Sequence, residues 1–186
     1  MDVVDDGVLK TFLMARTPIE GIPQSNGHGR AQAGFAPVAR QSNLIVQVAQ
    51  SSVKPDLKKL LIEEVKKQGL PYGLYFADIS GGFTFTGRTV PNAFNVMPIV
   101  VYRIFPDGRE ELVRGVDLIG TPLTTFSKIE AADNHVEVFN GICGAESGGV
   151  PVSAVSPAIL ISQIEVQKKQ KSQERPPILP APFAQK

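Results

Sequence analysis

The sequence predicts an α+β fold, predominantly antiparallel β with one clear amphipathic helix over about residues 55–68. Three observations lead there. Beyond residue 70, short alternating or β-branched apolar runs recur between Gly- and Pro-bearing turn signals. Only one segment has apolar residues at helical spacing between a plausible start and stop. The chain's 186 residues, with 42% apolar and 20% charged residues, suit one soluble domain with a real core.

The elements follow in order. Val8–Met14 reads as a strand opened by the turn Asp5-Asp6-Gly7. Residues 17–42 form a long polar loop containing Ser25-Asn26-Gly27-His28-Gly29-Arg30. A loop of that length in a compact domain is functional or disordered. Asn43–Ala49 alternates and reads as a strand. The helix follows, with Ser52 as a cap, Pro55 in the first turn and Gly69 as the stop. Leu57, Leu60, Leu61 and Val65 share its apolar face, which should lie on a sheet. Its lysines and glutamates form a solvated face.

Tyr72–Ile79 reads as a strand, Ser80-Gly81-Gly82 as a turn, and Phe83-Thr84-Phe85-Thr86 as an alternating strand. Val96–Phe105 is longer. Pro106-Asp107-Gly108-Arg109 is a hairpin turn, since Pro fixes φ and Gly accepts positive φ. Glu110–Val116 returns. Residues 121–132 admit a short helix, and His135–Ile142 and Ala158–Val166 are further strands. The domain is expected over residues 1–167. A flexible basic, then Pro-rich tail is expected over 168–186, ending in Pro176, Pro177, Pro180 and Pro182.

Composition narrows the function. A net charge of +1 carries no nucleic-acid footprint, so direct nucleic-acid binding is not expected. No apolar run approaches a membrane span, and the acidic Met1–Asp6 start is no signal peptide. A single cysteine forms no internal disulfide and suits a reducing, cytoplasmic setting. Met1 lies almost directly before the first strand, as in an ordinary domain or in a piece of a longer chain.

Few residues offer chemistry. The candidate metal ligands are His28, His135 and Cys143, with no close spacing among them. A zincin helix, with two histidines flanking a glutamate on one face, is missing from the sequence. His135-Val136-Glu137 lacks the Pro-Cys-x-x-Cys half of a zinc deaminase signature. Gly27-His28-Gly29-Arg30 lacks the third glycine and the βαβ setting of a dinucleotide loop. Its Arg30 is either an ordinary surface arginine or a clamp for a carboxylate or carbonyl. Cys143, in Gly141-Ile142-Cys143-Gly144, has small neighbours that leave its sulfur uncrowded. It reads as a structural thiol, a metal ligand or a nucleophile.

Several segments together resemble the TldD/PmbA family, the "modulator of DNA gyrase" zinc metallopeptidases. These are Asp6–Met14, Ser25–Ala31, Leu74-Tyr75, Ser80-Gly81-Gly82, Gly115–Gly120, Gly141–Gly144 and Val150-Pro151-Val152. They occur in family order and span roughly residues 5–166, similar to the family's β-rich C-terminal domain. The resemblance implies that zinc is held by two histidines of a His-Glu-x-x-x-His helix and one C-terminal-domain cysteine. The glutamate is the general base. By position, Cys143 matches the zinc-ligand cysteine, and Arg30 becomes a substrate-side residue. The helix is missing here, so no residue of this chain is expected to be catalytic, and the isolated chain is expected to be inactive. Either the chain is truncated or another polypeptide supplies the helix. Zinc belongs to the complete protein, peptides or unfolded proteins are the implied substrates, and a homo- or hetero-oligomer with a TldD/PmbA-type subunit is the implied assembly. The alternative is a non-catalytic binding or assembly module that pairs with such a subunit.

Overall fold

A computed structural model describes residues 1–85 and 93–169. Its contacts divide the chain into two compact units. The first comprises Met1–Leu57 and Ile129–Leu160; the second comprises the described residues of Lys58–Lys128 and those from Ile161 to residue 169. The α+β expectation holds, with antiparallel pairing dominant and one clear helix.

The first unit opens on a hairpin of β1 (Val4–Asp5) and β2 (Val8–Leu9). Asp6 and Gly7 both take positive φ at its turn, which matches the right-handed twist of the strands. The strand expected over Val8–Met14 stops at Leu9. Beyond it the backbone is met by side chains: the Asn26 amide donates to Phe12 O and accepts from Met14 N. β3 (Gly29–Arg30) and β4 (Val38–Ala39) pair inside the long loop, which is therefore structured.

β5 (Asn43–Ile45) is shorter than the expected Asn43–Ala49 and lies parallel to a later strand. Residues Gln50–Ser52 make one 3₁₀ turn. Ser52 does not cap the helix, which begins at Leu57. Val53 is bridged to Ala132, and Lys54 N donates to Ala132 O at 2.8 Å. Pro55 also holds Lys54 out of the helical region, so no helix can start earlier.

α1 (Leu57–Gln68) ends as expected. Gly69 has φ +67°, its N–H bonds Lys66 O, and Leu70 N bonds Val65 O, a Schellman stop. The helix packs on the sheet of the second unit. A Cβ on Gly73 would lie 2.7 Å from Leu61 Cδ1 and 2.9 Å from Val65 Cγ2, so only glycine fits beneath it.

That sheet contains β6 (Gly73–Phe85), β7 (Ala93–Ile104), β8 (Glu110–Val113) and β9 (Val116–Gly120). β6 and β7 pair antiparallel from Gly73/Ile104 to Phe85/Ala93. Ser80-Gly81-Gly82 is not a turn: it lies within β6, where register shifts between Phe76 and Gly81 bulge the strand. A Cβ at Gly82 would lie 2.5 Å from Asn95 O, so the glycine permits close pairing rather than reversal. The Thr86 end of that expected strand lies outside the described residues.

The hairpin at Pro106–Arg109 is present, with Gly108 at φ +87° and Phe105 N bonded to Arg109 O. The return strand breaks at Gly115, φ +71°, into β8 and β9. On β7, residues 101–104 pair with β8 and residues 94–96 with β9, leaving Pro98 in the gap between the two ladders. Proline cannot donate to a ladder, so its place at the gap is consistent. Within residues 121–132, which admitted a short helix, α2 covers Pro122–Phe126 and the next strand begins at Ile129. Val101, Ile104 and Val65 form the buried centre of this unit.

β10 (Ile129–Ala145) and β11 (Gly148–Ile161) return to the first unit, joined through the turn at Glu146-Ser147. β11 lies between β10 and β5. The expected Ala158–Val166 strand is split, because β11 ends at Ile161 and β12 (Glu165–Lys168) pairs with β9 in the second unit. Most of the expected 168–186 tail falls outside the described residues. Among those described, no helix is long and apolar enough to cross a membrane.

Candidate functional site

Cys143 lies on β10, two residues before the strand's end at Ala145, and is half-buried. A Cβ placed on Gly144 would meet nothing within 4 Å, but neighbouring strand residues face opposite sides, so that open space lies on the face away from the Cys143 side chain.

The hairpin tip beyond it is gripped by the long loop. Arg40, only 5% exposed, donates from Nη1 to Ser147 Oγ at 2.8 Å and to Gly148 O at 3.1 Å. Its Nη2 donates to Cys143 O. Gln32 adds a second hold: its N–H donates to Ser147 O at 2.9 Å and its Oε1 accepts from Gly149 N at 2.9 Å. Ser147 is consequently sealed from solvent. Gly148 takes φ +80° with Gln32 against it, a position only glycine fills without strain.

The Gly-His-Gly-Arg segment is organised by Asn26. Since Asn26 Oδ1 accepts from Met14 N and Nδ2 donates to Phe12 O, the amide's orientation is fixed. His28 Nδ1 approaches Asn26 O at 3.0 Å and Oδ1 at 2.8 Å, both acceptors, so Nδ1 carries the proton. Arg30 Nη1 donates to Gly27 O at 2.8 Å and Gly29 O at 2.9 Å, closing its own loop; these are the hydrogen bonds its guanidinium makes among the described residues. Ala15, Arg16, Ser25, Gly27, Gly29 and Pro37 line an open depression of about 420 Å³ beside this segment.

Sequence reasoning singled out Cys143 and Arg30 and passed over Arg40, Asn26 and Gln32. Arg40 stands between Ala39 and Gln41 with no glycine or turn signal to mark it. The one available clue was the loop's length, which requires internal polar staples if it is to be ordered.

Cys143 presents a half-buried sulfur on a strand whose backbone is held through the Cys143 carbonyl. Among the described residues no three His, Cys, Asp or Glu side chains come together to complete a site. The remaining donors of a three-ligand centre would come from outside this set.

The profile of the PmbA/TldA metallopeptidase C-terminal domain matches residues 1–168, and the chain belongs to that family. It is also 29% identical, over 158 residues, to a protein named "Metalloprotease" from Archaeoglobus fulgidus, covering 85% of this chain and 34% of that relative. The chain thus spans about a third of that relative's length.

Proposed function

We propose that this chain forms the C-terminal part of a TldD-like zinc metallopeptidase acting on unfolded or extended peptides, with Cys143 as its metal donor. The observation that carries the reading is the placement of the chain's one thiol, half-buried, near a strand end held through its own carbonyl by a buried arginine. The family is a metallopeptidase family, which supports a metal. The two histidines and the glutamate would come from a His-Glu-x-x-x-His helix on an upstream segment or a partner subunit.

When bound, zinc supplies a Lewis acid for the peptide carbonyl and an activated water. This chain's residues hold and orient. The Cys143 sulfur occupies one ligand position. Arg30, with one nitrogen spent on its loop, turns the rest of its fork toward a substrate carboxylate or carbonyl. The depression beside Gly27 and Gly29 receives an extended peptide segment. The test is metal content and peptide cleavage of the protein assembled with the histidine helix, compared with its Cys143→Ala variant. About one zinc per assembled site, lost together with cleavage in the variant, supports the reading. Metal and activity indifferent to Cys143 would sink it.

A second reading, a non-catalytic assembly module, is favoured by a different observation. Val136, Val138 and Ile142, on one face of β10 with Asn140 between the last two, are 53%, 58% and 76% exposed, apolar positions suited to cover by another polypeptide. Stable pairing with a TldD/PmbA-type subunit, with metal bound independently of Cys143, would support it.

A further inference from the structure

We propose that Arg40 is the positioning residue that sets Cys143 for metal ligation, an inference that rests on the reading of Cys143 as a donor. The guanidinium is buried, and its bonds reach both limbs of the β10–β11 hairpin and the turn between them: Cys143 O, Ser147 Oγ and Gly148 O. All three acceptors are neutral. The hairpin tip gains no ion pair from Arg40; it gains a planar fork that fixes three points at once.

The bond to Cys143 O matters most. A strand end two residues from a turn frays unless its carbonyls are held, and fraying rotates the Cα–Cβ vector that aims the sulfur. A ligand must sit within a few tenths of an ångström of its metal distance, so a drifting Cβ weakens ligation without removing the thiol. Gln32 also secures the turn, bonding Ser147 O and Gly149 N and lying against Gly148, but none of these bonds reaches Cys143. Arg40 is thus the side chain that ties the tip to the residue bearing the donor. Lysine at this position would keep the charge and one direction of bonding, but it cannot span both limbs.

The experiment uses the protein assembled with its histidine helix and loaded with cobalt in place of zinc. Cobalt is chosen because a thiolate ligand gives a sulfur-to-cobalt absorption band. Arg40→Lys and Arg40→Met are compared with the parent for cobalt affinity, for the band at full saturation and for thermal midpoint. Both variants are expected to bind cobalt about 10- to 100-fold more weakly, with an altered sulfur band even when saturated. Arg40→Lys is expected to recover most of the thermal midpoint but not the affinity. A merely structural role moves the midpoint and leaves the saturated band intact. If Arg40→Met fails to fold, Arg40→Lys decides alone. Parent-like affinity and band in Arg40→Lys overturn the proposal. An unchanged sulfur band in Cys143→Ala instead overturns the assignment of Cys143, a failure distinct from that of Arg40.

Discussion

In the sheet-and-helix unit, β6 and β7 run side by side from Gly73/Ile104 to Phe85/Ala93, and α1 rests on Gly73 through Leu61 and Val65. In the other unit, the segment from Phe12 to Arg40 contributes only the two-residue strands β3 and β4. There the bonds run from side chains to distant backbone: Asn26 to Phe12 and Met14, Arg40 and Gln32 to the β10–β11 tip. One region is held by repetition, the other by a few individual side chains. Repetition tolerates the loss of any one side chain, whereas a clasp does not.

The chain carries its own probes of that contrast. All three tyrosines, Tyr72, Tyr75 and Tyr102, lie in the sheet-and-helix unit, and the single cysteine lies in the other. Tyrosine fluorescence and Cys143 alkylation during urea unfolding therefore report the two units separately. The largest effect is expected from Arg40→Met, which strips one buried and two part-buried acceptors of their donor. It should lower stability by about 3 kcal/mol by Cys143 protection, with a smaller loss by tyrosine fluorescence. Equal losses by both probes would erase the distinction between the units.

Gly82→Ala should do the reverse. Its new methyl would meet Asn95 O, and pushing two paired strands apart is expected to cost about 2 kcal/mol by tyrosine fluorescence. Asn26→Ala removes two backbone bonds and should cost about 1.5 kcal/mol, with faster hydrogen exchange at the Met14 amide as its local mark. Gly69→Ala forces a left-handed alanine at the α1 stop and should cost about 1 kcal/mol, again by tyrosine fluorescence.

The smallest effect concerns Glu64. The Gln68 side chain, and after it Lys67, hold its carboxyl below the ordinary range. A depressed folded-state value means the contribution is present above the unfolded value and fades as pH falls through the lower folded one. Glu64→Gln should flatten this slight acid-side loss in α1, read as tyrosine-detected stability against pH, with the parent's Glu64 carboxyl followed by NMR titration. Because the group is only partly buried and its Lys67 partner is exposed, a large change would contradict the argument.

How much was legible follows the same division. The helix stop at Gly69, the Pro106–Arg109 hairpin and the Leu57/Leu60/Leu61/Val65 face were readable because each is a local rule acting on neighbouring residues. Ser80-Gly81-Gly82 misled because a glycine needed for close strand approach looks the same in sequence as one needed for a turn. Val8–Met14 misled because an apolar run bonded by an asparagine twelve or more positions away carries the pattern of a strand. Cys143 stood out by its glycine neighbours and by family resemblance. The residue that fixes its strand did not, because nothing near Arg40 in sequence signals a partner 107 positions later.

That separation has a consequence for how the domain comes into being. Most of the second unit is inserted between Leu57 and Ile129, so the clasp between Arg40 and the hairpin tip closes a loop that contains it. Closing long loops is entropically slow, and contacts of this kind form late. During synthesis the loop from Gln32 to Arg40 emerges long before the hairpin it will grip. A chain halted before residue 148 carries Cys143 on a strand that no clasp yet holds. The thiol is thus free before and after folding, and what the finished fold adds is a fixed backbone beneath it.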